Sequence, residues 1–478
     1  MDNSTNQKIE EVSPNIQRPE EITGSIPIEY PTSPVQVFEQ KSSKKGLILF
    51  LFIFFITIFG GFYWFFIREN LGNLFVDNQP QEVNLTYWGL WDDPSVYEEV
   101  IKEYEEKNPN VKIAYQKVNK EQYRERLIAR SEASTGPDIF RFHNTWLPQI
   151  SRVASAIPLD LLSNEEFEKS FYPIHNTDLK IGENHYGIPL MIDGLVMLYN
   201  KEILESSGVA KPPQNWVGGS NDLLSIASAL TVRDTNQVLI SSGVAIGEAE
   251  NISHFGEIFT VLLLQNGGNL RELTTVEASD ALQVYRKFAE DGIWNLDMPN
   301  SISAFIQGRV ALIFAPSWQI HGIKAQNPAL QIGVSALPLG INSKQLSISN
   351  YWAEGVSKTS KHQREAWKFL IFLSQREQLL KIYENQSKVR VFGNAYPRPD
   401  MADLLTDNEF LNPVIDQAKN SAYVTLPVAD LTFDKGINDE ILLYLKNAIN
   451  ETGKGVEYKV ALQTAGVGVN QIFNRYLE

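Results

Sequence analysis

Eight of the nine tryptophans lie outside the one long apolar run of the chain, and five of them stand beside segments that read as strands. Trp88 and Trp91 follow the first strand, in Tyr-Trp-Gly-Leu-Trp-Asp-Asp-Pro. Trp146 follows the third, in Arg-Phe-His-Asn-Thr-Trp. Trp318 follows Val310–Phe314, in Ala-Pro-Ser-Trp, and Trp352 follows Ser349-Asn350-Tyr351. In open α/β sheets the carboxyl ends of strands border the ligand crevice. A wide apolar ring placed there can lie against the C–H face of a sugar while polar neighbours bond its hydroxyls. A core or lid role is the competing reading for each ring. It is the stronger one for Trp216, after a Pro-Pro turn, and for Trp367, on the apolar side of a helix.

Other chemistry is hard to place. The chain has no HExxH, no G-x-S-x-G, no Walker A sequence and no EF-hand loop. Gly453-Lys454-Gly455 lacks the upstream glycine and the following Ser/Thr of a phosphate loop and reads as a turn. The six histidines are scattered; His175 and His185 are ten apart in a loop-like stretch and make a poor metal pair. Cysteine is absent, which removes disulfides, thiolate metal sites, Fe–S clusters, a thiol nucleophile and a lipid anchor built on cysteine. No cofactor, metal or catalytic residue is expected. The many carboxylates leave a glycosidase-type pair open, although none sits in a recognisable motif.

The elements that would position the rings alternate along the chain. Val83–Tyr87 reads as a strand, Val96, Val100, Ile101 and Tyr104 as one helix face closed by Asn108-Pro109, and Val111–Val118 as a second strand. Asp92-Asp93-Pro94 reads as the helix cap. A second helix carries Tyr123, Leu127 and Ile128 and breaks at Gly136-Pro137 before the strand Ile139–Phe142. Further helices are expected at 220–230, 278–290, 301–307, 361–383, 438–450 and 457–476, with a strand at 309–314. Such alternation predicts a mainly parallel α/β sheet covered by helices.

Charge and hydropathy set the location. The 478 residues carry a net charge of −15, and residues 69–478 hold 36 basic against 50 acidic side chains. An acidic body argues against nucleic acid as the partner. Residues 46–67, from Gly46 to Ile67, contain no charge, and a helix of that length spans a bilayer core of about 30 Å. Lys41, Lys44 and Lys45 precede it and only Arg68 follows closely, which puts the N-terminus in the cytoplasm and the C-terminal bulk outside. Residues 1–45, with five prolines, read as a disordered cytoplasmic tail, and 68–81 as a linker.

Six short stretches resemble, in order, those of the bacterial extracellular solute-binding proteins of ABC importers, in particular the maltose-binding-like, sugar-binding family 1. They are Thr135-Gly136-Pro137-Asp138-Ile139, Tyr186-Gly187-Ile188-Pro189-Leu190 followed by Leu198-Tyr199-Asn200-Lys201, and Pro212-Pro213-Gln214-Asn215-Trp216. Phe305-Ile306-Gln307-Gly308-Arg309-Val310-Ala311, Gly333-Val334-Ser335-Ala336-Leu337-Pro338 and Glu365-Ala366-Trp367-Lys368-Phe369-Leu370 complete the series. The resemblance covers roughly 82–478. It implies an α/β, two-lobe periplasmic-binding-protein fold (type II-like) with a cleft between the lobes, here preceded by one N-terminal transmembrane helix. Lobe one would be 82–190 and 336–393, and lobe two 195–333 and 396–478, with a further crossing near Arg390–Pro397.

Carried over position by position, the resemblance implies ligand contacts at Trp88 and Trp91, at Arg141, His143, Asn144 and Trp146, and at Asp193, a crossover carboxylate. It adds Trp318, Tyr351 and Trp352, the loop residue His254, and Phe433 and Asp434 before the C-terminal helices. Structural roles compete, such as ion pairing for Arg141 and capping for Asp193. The implied function is capture of a carbohydrate, in particular an oligosaccharide, at the cell membrane and its delivery to ABC importer permease subunits, without catalysis. A sensing or scaffold receptor using the same cleft, and a surface glycosidase, are the alternatives. Arg141 and His143 occupy a loop where relatives often place Asp or Glu, which opens the site to acidic or phosphorylated sugars.

Overall fold

The computed structural model describes residues 44–74, 82–219, 221–340, 345–419, 423–424 and 437–476. Two separate units divide the chain at Gln79 and Pro80. Among the described residues, the first contains one helix, α1 (Lys44–Leu74). Its segment Leu49–Phe66 is long and apolar enough to cross a membrane, and none of it is buried. The helix overruns the expected span at both ends, running from Lys44 to Leu74. The start of the expected linker is therefore helical. Most of the expected tail lies outside the described residues.

Among the described residues, the second unit holds two five-stranded sheets and two small two-stranded ones. Strands β1 (Val83–Gly89), β2 (Val111–Lys117) and β3 (Ile139–His143) run parallel in the order β2-β1-β3, linked by helices α2 (Glu98–Lys107) and α3 (Tyr123–Glu132). The strand Trp352–Val356 then pairs antiparallel with β3 and with Ile188–Pro189. Val83, Leu85 and Tyr87 point alternately into the core, as a half-covered strand requires, while all five residues of β3 are buried because both its faces are packed. Asp138, from the Gly-Pro-Asp-Ile stretch, locks β3 beside β1: its carboxylate accepts from the Thr86 backbone N–H (2.8 Å) and hydroxyl (2.9 Å) and from Ser360 Oγ (2.6 Å).

The second sheet is built on Leu195–Asn200 and Val310–Pro316, which pair antiparallel. Ile332–Ser335 flanks the former, and Leu239–Val244 runs parallel to the latter, with Val232–Arg233 at the edge. The helices Leu223–Leu230 and Ser301–Ile306 pack on it, while Phe255–Gln265, Val276–Glu290, Ile437–Gly453 and Tyr458–Tyr476 pack on one another. The two-lobe α/β fold expected from the sequence is thus present.

Two local expectations change. The helix expected over 361–383 is two, Gln363–Leu373 and Arg376–Ser387, because Gln375 is extended between them (φ −71, ψ 149). Apolar spacing runs on through both, so periodicity alone hides the break. Trp88 lies inside β1 rather than after it, since pairing with β2 continues to Gly89.

The segments that pass between the sheets are tied to one another. The Ile192 N–H donates to the Ala395 carbonyl (3.0 Å), and the Asn350 N–H to the Asp193 carbonyl (2.9 Å). Nearby, His175 is fully buried, edge-on to Tyr351 at 4.5 Å, with no hydrogen-bond partner for either ring nitrogen. Burial drops its pKa to about 3, against about 6.5 in an unfolded chain. Between those values the unfolded chain takes up a proton that the folded chain refuses, so stability falls as pH falls below about 6.5. His175→Phe, which fits the aromatic surroundings, should shrink the loss of unfolding free energy between pH 7 and pH 5 by about 2 kcal/mol in denaturant titrations.

Candidate ligand-binding cleft

The strand ends that carry the tryptophans border a cleft of about 430 Å³, inside the usual range for small-molecule sites. Trp91, Asp92, Lys120, Arg141 and Trp352 line it from the first sheet's side, and Trp318, His321 and Gly322 from the second. Met191, Arg390 and Asn394 line it from the connecting segments. Trp352 reaches this edge although it begins its strand: that strand runs antiparallel, so Trp352 lies opposite His143 at the carboxyl end of β3.

The floor is a buried ion network. Arg141 and Glu354 are register partners on adjacent strands, and Arg141 Nε donates to Glu354 Oε1 at 2.7 Å. Arg141 Nη1 donates to Asp92 Oδ2 and to the Leu90 carbonyl, each at 2.9 Å, and Nη2 donates to the Tyr97 hydroxyl. The Arg141 side chain is only 3% exposed. Burial opposes its charge, but the carboxylates of Glu354 and Asp92 outweigh burial and hold it protonated. Burial lifts the Glu354 carboxyl above its ordinary pKa, with Arg141 pulling the other way. Asp92 also meets Gln386 Nε2 at 3.3 Å and Arg390 Nη1 at 3.4 Å. The expected cap is therefore corrected: Asp92 faces inward to the arginines, and Asp93 precedes the short helical turn without a side-chain cap bond.

One aromatic wall stands above this floor. Trp91 is 41% exposed and adopts a left-handed backbone (φ 70), which is strained for a bulky residue. Its ring meets Trp352 edge-on at 5.6 Å. Behind Trp352 pack His143 (5.1 Å) and Trp146 (5.3 Å). Trp318 faces the cleft from the other side. Its backbone is held by Asp193, whose carboxylate accepts from the Trp318 N–H (3.1 Å), from Ser317 N–H (3.1 Å) and Oγ (2.9 Å), and from Gly194 N–H (2.7 Å). Burial raises Asp193 to about pKa 6, partly offset by those bonds.

Of the candidates from sequence, Trp91, Arg141, Trp318 and Trp352 come together on the cleft surface. Asp193 borders a small void of about 10 Å³ beside it. His143 and Trp146 are buried supports of Trp352. Trp88 packs on Tyr123 (6.4 Å) under Arg130. Asn144 donates to Asp178 and Ser349 and accepts from the Tyr351 N–H, and Tyr351 is buried against His175. His254 pairs with Glu257 (3.0 Å), with its ring 6.5 Å from that of Trp318. Phe433 and Asp434 lie outside the described residues.

Sequence reasoning did not single out Lys120, Met191, His321, Arg390 or Asn394. His321 carried a signal, since it lies three residues after Trp318 at the start of the helix Gln319–Gln326. The others sit in connections without a pattern of their own. Among the described residues, no group of three His, Asp or Glu side chains could hold a metal ion.

The profile of the bacterial extracellular solute-binding protein family matches residues 88–379. The chain belongs to that family. It is 25% identical over 365 residues to a protein of Brucella abortus (strain 2308) whose name says only that it binds, with 72% of this chain and 87% of the relative covered. It is 22% identical to the maltotriose-binding protein of Pyrococcus abyssi, covering 69% of each chain. Among solved structures, a cyclo/maltodextrin-binding protein complexed with maltotetraose shares the fold. Its TM-score is 0.67 at 18% identity, over 83% of this chain and 99% of the other.

The buried network generates a direct test. Arg141→Met leaves Asp92 and Glu354 facing each other without their shared cation. It should lower the unfolding free energy by about 3–5 kcal/mol, and adding Glu354→Leu should restore part of that loss. Chemical denaturation of the single and double variants measures both.

Proposed function

We propose that the protein captures a carbohydrate, in particular an oligosaccharide, in this cleft at the outer face of a cell membrane and delivers it to an ABC importer. The observation that carries the reading is the trio of tryptophans on the cleft surface, Trp91 and Trp352 on one wall and Trp318 on the other. Rings on both walls suit a ligand with apolar faces and polar edges. The names of the Pyrococcus relative and of the maltotetraose complex point to the same ligand class.

Binding without catalysis fits the polar groups. Asp92 is the one carboxylate among the described residues lining the cleft, and Arg141, Gln386 and Arg390 already take its oxygens. A hydrolase of glycosides needs two carboxyl groups flanking the bond. For motion, we take lobe one as 82–190 and 336–393 and lobe two as 195–333 and 396–478. The three connecting segments then form a hinge, and ligand favours the closed state by touching both walls at once. The helix Lys44–Leu74 serves as the tether. The lysines before its apolar segment and the lone Arg68 after it favour a cytoplasmic N-terminus.

Trp318→Ala tests the site. Trp318 is half-buried and its backbone, not its ring, receives the Asp193 contact, so the unliganded melting temperature should hold. Loss of a central ring contact should cost about 2 kcal/mol, roughly a 30-fold rise in the Kd for the carbohydrate by titration calorimetry. Unchanged affinity would remove Trp318 from the site.

A further inference from the structure

We propose that Asp193 is a positioning residue for carbohydrate binding: its carboxylate, at the junction of the segments that connect the sheets, sets where the Trp318 ring stands and does not touch the ligand itself. This role rests on the carbohydrate reading above and deepens it, because it gives a hinge residue command of one wall of the site. It replaces the direct ligand contact that the sequence resemblance implies for Asp193.

Strand register brings the groups together. Pro316, at the end of its strand, lies opposite Leu195. Asp193, two residues before Leu195, therefore stands beside Ser317 and Trp318, where the chain leaves the strand for the helix Gln319–Gln326. Backbone N–H groups at such a junction have no partner within the helix, and Asp193 supplies one. Its Oδ1 accepts from the Gly194 N–H (2.7 Å) and the Ser317 N–H (3.1 Å), and its Oδ2 from Ser317 Oγ (2.9 Å) and the Trp318 N–H (3.1 Å). A carboxylate has about four lone-pair sites. Donors of the chain itself occupy all four, so none is left for a sugar hydroxyl. The residue is 2% exposed and borders the small void behind the cleft.

Asp193 is also fixed to the rest of the hinge. Its carbonyl accepts from the Asn350 N–H in the second connecting segment (2.9 Å). On one side of it Gly194 bridges to Ser349, and on the other the Ile192 N–H reaches the Ala395 carbonyl of the third segment (3.0 Å). One end of Asp193 is thus tied into the hinge, and the other holds the backbone of a ring on the cleft surface.

The test is a double-mutant cycle read as carbohydrate affinity, on the full chain in a detergent without a sugar head group. Titrations are made at about pH 8, where Asp193, raised by burial to about pKa 6, is ionised. Maltotriose, maltotetraose and neutral disaccharides of glucose, galactose and mannose are titrated, and the tightest binder is carried through the cycle. Asp193→Asn replaces one acceptor oxygen by an NH₂ group. With the remaining oxygen on the Gly194 and Ser317 N–H groups, Ser317 Oγ can turn to accept from the NH₂, whereas the Trp318 N–H cannot, so the Trp318 bond is the one lost. The Kd should rise about tenfold. On a Trp318→Ala background the same substitution should change Kd by less than about twofold, because no ring is left to place. Ser317→Ala removes the other donor to Oδ2 at little cost in shape. It should give a smaller loss, about threefold, that also vanishes without the ring, and it carries the cycle if Asp193→Asn fails to fold. A loss of equal size with and without the Trp318 ring would overturn the inference, since a direct ligand contact or a general loosening of the fold acts without the ring. Unchanged affinity in folded Asp193→Asn would overturn it too, and both results leave the carbohydrate reading standing. A folded wild type that binds none of these sugars would overturn that reading and the inference with it.

Discussion

The pairing of Arg141 with Asp92 and Glu354 is the constraint on which the cleft depends. A guanidinium this deeply buried is tolerable only with its charge matched and its donors satisfied. Meeting that demand fixes three segments at once. Glu354 must stand opposite Arg141, which sets the register of its strand against β3 and so places Trp352 at the cleft edge. Asp92 must turn inward, which forces the preceding residue, Trp91, outward in a left-handed conformation onto Trp352. Through Arg390 the same network reaches a segment that connects the sheets. A structural ion pair and a ligand surface are therefore two faces of one arrangement.

The opposite wall has its own anchor. Asp193 gathers the N–H groups of Ser317 and Trp318 and thereby aims the start of the helix that carries Trp318 and His321. Negative charge there also suits the positive end of the helix. Asp193 lies in one connecting segment and is bonded through its carbonyl to Asn350 in another. In the proposed hinge motion, the residue that orients the second wall is itself part of the hinge. That arrangement links the placement of Trp318 to the relative position of the two sheets.

Much of this was legible from residues alone, and the limits have physical causes. Alternating apolar periods located β1, β2 and β3 and most helices, because one-sided burial imposes a period of two or of 3.6. The tryptophans were legible because large rings beside strand ends have few reasons to be there. The role of Asp92 was not, since a carboxylate before a proline reads as a cap until the fold brings Arg141 and Arg390 to it. His143, Asn144 and Tyr351 stand near the strand ends too, and only packing shows that they support the wall from behind. Lys120, Arg390 and Asn394 lie in connections whose geometry is set by tertiary contacts. No local pattern marks such residues.

The central claim is that a carbohydrate sits between the tryptophans of the two sheets, above the Arg141 network. A crystal structure of the protein with its tightest-binding carbohydrate tests it most directly. The account predicts a pyranose ring against Trp318 on one side and within contact of Trp91 or Trp352 on the other, with Arg141 still bonded to Asp92 and Glu354. A ligand bound elsewhere on the protein, or one that occupies the cleft without touching these rings, would contradict it.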